Sequence, residues 1–132
     1  MKSIKKRFKL VLAEVERSAV DLRLLTDQLA LLEDVAQLAG RVLGICQGLR
    51  MRASELHKAE FAMQMAADAS LVELGEIVDG DWVSAIEQRF SEVCPDEGPL
   101  REFLEQLLEK LETCHIVMIQ NIQRLLALLA PD

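Results

Sequence analysis

Apolar residues recur every three to four positions from Ile4 to Cys46, and this repeat constrains the chain more than any other feature. One seam reads Phe8, Val15, Leu22, Leu29, Ala36, Leu43, and the other reads Ile4, Val11, Ser18, Leu25, Leu32, Ala39, Cys46. Twelve of these thirteen residues are apolar. A period near 3.5 held for six heptads belongs to helices packed on other helices. The register slips where Arg50 takes an apolar position, although Leu49, Ala53, Leu56 and Met63 continue an apolar face. No proline precedes Pro95. One helix over the first 78 residues would be about 115 Å long, too long for a compact domain of this size. The chain therefore folds back, unless it is an extended coiled coil.

Composition agrees with helix throughout. Leu (23) and Ala (14) dominate, Tyr is missing and there are two Thr, a poor palette for strands. Disorder is excluded by 51% apolar residues and a mean hydropathy of +0.16. The 132 residues suit one domain, an antiparallel all-α bundle of about four helices with long first and last members.

Two places compete for the first reversal. Near Glu33-Asp34, Asp34 can N-cap a helix with Gln37 three residues on. Alternatively Gly40, Gly44 and Gly48 each weaken a helix by roughly 1 kcal/mol. A turn near residue 33 leaves helices of about 30 and 33 residues, which match the last helix, and is preferred. Further on, Ser70-x-x-Glu73 reads as a capping box. In Asp79-Gly80-Asp81, Gly80 permits a left-handed turn and Asp81 caps a helix from Trp82 to Val93. Residues 94–99 form a Pro/Gly loop, with Pro99 opening a last helix that ends at Ala130 before Pro131. That helix carries Leu104, Leu107, Leu111, Cys114, Met118, Leu125 and Leu129 on one stripe.

Chemistry-bearing patterns are sparse. Glu112-x-x-His115 matches half of a bundle carboxylate metal motif, but the only other histidine lies in the reversed His57-x-x-Glu60. A di-iron constellation cannot be assembled. A mononuclear site from His57, Glu60, Glu112 and His115 needs the two helices face to face, and otherwise these are ordinary edge histidines. Cys46 and Cys114 lie on apolar stripes, where a thiol acts as a small hydrophobe, and Cys94 in the loop is the candidate reactive thiol, with no activating neighbour in the sequence. Cys114 and His115 point about 100° apart on a helix, which suits no nucleophile–base pair. No phosphate loop, nucleophile elbow, zinc CxxC pair or calcium loop occurs. The expectation is a non-enzymatic protein with no catalytic residues and no cofactor.

Gly40, Gly44 and Gly48 form a small-residue ridge that serves a helix crossing, an interface or a kink. Trp82, the only Trp, reads as a plug at the bundle end or as an interface anchor. Residues 1–58 hold 11 bases and 7 acids, whereas 59–132 hold 4 bases and 15 acids. An acidic second half disfavours nucleic acid. The leader 1–9 with Lys2, Lys5, Lys6, Arg7 and Lys9 is a solvated helix start or a contact for an anionic surface. The apolar run after it stops at Glu14, too short for a signal peptide, and no transmembrane segment is present. Three cysteines without a pairing pattern indicate a reducing cytoplasm.

An apolar surplus and a regular seam together imply self-association, with a homodimer expected. The leading expectation is a protein–protein interaction module, an adaptor, regulator or secretion-type chaperone that binds a protein partner through a helical face. The alternatives are a metal-binding bundle using Glu112 and His115, or anionic-surface or nucleic-acid binding through the basic N-terminus.

Overall fold

The computed structural model describes residues 3–28, 33–93 and 98–130, without the side chains of Arg89 and Val93. Leu29 and Leu32 of the seams and Cys94 of the loop lie outside them. The all-α expectation holds, and no strand occurs among the described residues. The helices number six there, against about four expected: α1 (Ile4–Asp27), α2 (Glu33–Glu55), α3 (Lys58–Ala66), α4 (Ala69–Asp79), α5 (Trp82–Val93) and α6 (Pro99–Ala127).

Helix α1 is the hub. Ser3 caps it, its hydroxyl accepting from the Lys6 N–H at 3.3 Å. Its seam buries Phe8, Val11, Val15 and Leu22, while Ile4 stays half exposed. On one side α2 returns antiparallel to it. Lys5 Nζ donates to the Leu56 carbonyl at 2.6 Å, and Arg50 meets Glu16 at 3.0 Å. On the other side α6 also runs antiparallel to it. There Asn121 donates to the Ser18 hydroxyl at 3.2 Å and Arg124 meets Glu14 at 2.7 Å. Ser18 is the one polar member of the thirteen-residue seam, and this buried bond to Asn121 explains it. A polar pair inside an apolar seam favours one register of the two helices, because a slip would leave the buried Asn121 N–H without its acceptor.

The reversal falls where length matching placed it, between Asp27 and Glu33, rather than at the glycines. Helix α2 runs unbroken through Gly40, Gly44 and Gly48. Asp34 lies in its first turn beside Glu33, where carboxylates favour the helix dipole, and is not the cap. The expected 33-residue second helix is instead divided at Leu56–His57, an extended point without a side-chain cap. Tertiary contact explains the break. Lys5 takes the Leu56 carbonyl, and the turn delivers Phe61 edge-on to Phe8 with ring centroids 5.3 Å apart.

Helix α4 is capped by Asp68 and not by Ser70. The buried Asp68 carboxylate accepts from the Ser70 N–H at 2.9 Å and pairs with Arg52 at 2.9 Å. A carboxylate at an N-terminus gains from the dipole and the cation together, which outweighs a hydroxyl two residues later. Asp81 caps α5 as expected, accepting from the Ser84 N–H at 3.2 Å. Gly80, however, is extended (φ −79°, ψ 146°) rather than left-handed. Gly98 (φ 113°) holds the conformation that needs glycine, directly before Pro99 at the start of α6. Helix α6 stops at Ala127, three residues before the expected end. A tighter turn carries the chain on, with Leu129 and Ala130 donating to carbonyls three residues back. Helices α4 and α5 pack on α6, and Leu74, Ile77 and Ile86 close the core on that side. No helix of the described residues is long and apolar enough to cross a membrane.

Candidate protein-interaction face

Helices α1 and α6 each bury one stripe and leave a second one open along their shared groove. On α1 the open stripe is Leu10, Arg17 and Leu24, seven residues apart; on α6 it is Phe103, Lys110, Val117 and Arg124, also seven apart. Residues at that spacing lie on one helix face. Leu10 is 52% exposed and Leu24 57%, and on the matching stripe of α6 Val117 is 41% and Phe103 60% exposed, so large apolar side chains on both helices stand in water. Single exposed leucines need no explanation, but an aligned row of them does.

The groove opens into a concavity at each end. One, of about 770 Å³, has an apolar floor of Leu10, Val11, Ala127 and Leu128 under Arg7, Arg17 and Arg124. Arg124 is engaged by Glu14, whereas Arg7 and Arg17 meet no carboxylate among the described residues. The other, of about 730 Å³, lies between Leu24, Leu25 and Cys114 and carries Asp21 and Glu109 with Lys110. The face thus alternates apolar and charged side chains along its length, cationic at one end and predominantly anionic at the other. It can hold an amphipathic helix laid along the groove.

The expected interface residues lie elsewhere. Gly44 and Gly48 are exposed with nothing within 4 Å of an added Cβ, and Gly40 meets only the Arg23 guanidinium at 3.8 Å. The ridge is therefore not a tight internal crossing, and it does not break the helix. Trp82 is half-buried against the core near the α4–α5 turn, where its Nε1 is buried without a hydrogen-bond partner.

His115 lies beside it, at a small cavity of about 180 Å³ shared with Asp81, Trp82 and Gln120. It is not an edge residue. At 3% exposure it is in the core, and neither ring nitrogen has a partner among the described residues. Burial pushes the imidazole below its ordinary pKa, opposed by the nearby Asp81 carboxylate. Asp81 is in turn held low, chiefly by its hydrogen bonds from Ser84 and slightly by His115.

Glu112, one turn before His115 on α6, is half-buried and faces Glu87. Its carboxyl is raised by burial first and then by Glu87 across on α5 and by Glu109. His57 and Glu60 are exposed at the start of α3. Among the described residues no group of three His, Cys, Asp or Glu is placed to hold a metal. Cys46 is fully buried, and burial, reinforced by Glu16, pushes its thiol up to about 12 despite Arg50. Such a thiol is a small hydrophobe rather than a nucleophile. Burial likewise raises Cys114, with Asp21 adding to it.

Comparison of the chain with family models, curated proteins and solved structures finds no significant match. The site therefore rests on the geometry alone. Sequence reasoning missed Leu10, Arg17, Leu24, Phe103, Val117 and Arg124. Their spacing of seven was available as a second stripe beside the buried one.

Proposed function

We propose that this protein is a non-enzymatic protein–protein interaction module whose docking surface is the α1/α6 face. One observation carries the reading: two adjacent helices present aligned, exposed apolar side chains over a groove with charged ends. An all-helical chain with exposed large apolar residues gains most by covering them with another helix, at about 25 cal/mol per Å² of apolar surface. The expected roles of adaptor, regulator or dedicated chaperone all use such a surface, and the choice among them rests on the partner.

A photoreactive side chain at Leu24 or Val117 tests it in the cytosol of origin. Both positions are expected to cross-link stoichiometrically to protein, whether to this chain or to a different one, while the same probe at exposed Gln47 on α2 does not. Equal yields at all three positions would overturn the assignment of the face.

A further inference from the structure

We infer that the occupant of the α1/α6 face is a second copy of this chain, related by a twofold axis that lies across the helices and sets the two α1 helices antiparallel. The inference rests on the interaction reading above and names its partner. Three observations carry it.

The first is charge. The face is cationic at the Arg7–Arg17–Arg124 end and carries Asp21 and Glu109 at the other. A twofold interface places the same patch against itself, so it must be complementary to its own rotated image. A polarised face meets that condition only when the axis brings the basic end of one copy over the acidic end of the other.

The second is register. Arg17 and Asp21 are one turn apart on α1, both exposed, and no ion pair joins them among the described residues. An axis crossing α1 midway between them sets Arg17 of one copy opposite Asp21 of the second copy, and the symmetry makes that contact twice. Because Ser18 and Asn121 lie level with each other, the same axis crosses α6 near Gln120 and Asn121, about one turn from Val117.

The third is area. A 14.8 kDa monomer ordinarily exposes about 7,000 Å², whereas this chain exposes 8181 Å². The excess, on the order of 1,000 Å² over the whole chain, leaves room for the roughly 800 Å² that each partner buries in a standard interface.

The test uses the full chain in sedimentation velocity over a concentration series at low salt. The wild type is expected to be a dimer. Arg17→Asp and Asp21→Arg each place like charges in contact twice, and each is expected to weaken the dimer about tenfold or more. Two combinations restore complementarity: an equimolar mixture of the two single variants, and the double variant R17D/D21R, which exchanges the charges. Both are expected to recover dimers close to the wild-type strength. Circular dichroism melts identify any variant whose fold is damaged, and Arg17→Gln with Asp21→Asn then serve as the milder pair. A strict monomer overturns the inference, as does a dimer indifferent to both reversals or one that neither combination rescues. If the chain is monomeric yet Leu24 still cross-links to a foreign protein, the second copy is wrong while the interaction reading stands.

Discussion

His115 shows what a single residue in this core does to the molecule. Its ring is buried, its nitrogens have no partner among the described residues, and burial lowers its pKa in the folded chain. The unfolded chain, with an ordinary value near 6.5, therefore takes up a proton that the folded chain refuses. Stability is fully present above about pH 6.5 and falls as the pH drops below it, levelling off once the folded imidazole also protonates. His115→Leu is expected to remove that dependence and to raise the free energy of unfolding at pH 5.5 more than at pH 8. Urea unfolding at the two pH values measures this, and an unchanged difference between them would refute it. Gly80 gives a second residue-scale prediction. Its backbone angles suit any residue, so glycine is needed there for space: an added Cβ would stand 2.7 Å from Trp82 Nε1. Gly80→Ala is expected to displace the indole, shift its fluorescence and cost about 1 to 2 kcal/mol, a typical overpacking penalty. A wild-type emission spectrum with wild-type stability would refute it.

At the scale of elements, the glycine row of α2 separates a folding role from a binding role. Gly44 and Gly48 are exposed mid-helix with room for a Cβ. Each replacement by Ala is expected to stabilise the protein by about 1 kcal/mol, since glycine carries that helix penalty. Denaturant midpoints measure the gain. A loss instead would mean that these glycines face a covering partner, as the small-residue ridge first suggested. Helices were legible in the sequence where local chemistry decides them. Asp81 before Trp82, Gly98-Pro99, and the reversal ahead of Glu33 follow from capping, backbone freedom and matched lengths. Boundaries set by distant contacts were not legible. The division at Leu56–His57 has neither Gly nor Pro; it follows from Lys5 and from Phe8 meeting Phe61, about fifty residues apart in the chain. Likewise Ser70 lost the cap of α4 to Asp68 because Arg52, on another helix, supplies the opposite charge. The candidate face was legible only in part. The heptad pattern led to the buried stripe of α1, and the second stripe became visible once α6 lay beside it.

At the scale of the whole molecule, one hub helix flanked by two others leaves a groove whose covering completes the burial. If a second copy provides the cover, folding and association are one equilibrium, and stability depends on protein concentration. The size of the effect follows from the unfolding enthalpy, about 0.7 kcal/mol per residue near 60 °C, or roughly 90 kcal/mol for a chain of this length. A dimer that unfolds directly to two chains absorbs about twice that, so each tenfold rise in concentration is expected to raise Tm by about 3 °C. Differential scanning calorimetry over two decades of concentration resolves such a shift. Salt sets the sign of a second effect. Contacts between oppositely charged ends weaken as ions screen them, so the slope of Tm against concentration persists in 1 M NaCl while the dimer forms at higher protein concentration. A Tm independent of concentration at low salt would place all the stability within one chain. The open stripes of α1 and α6 would then be a surface kept for a different protein.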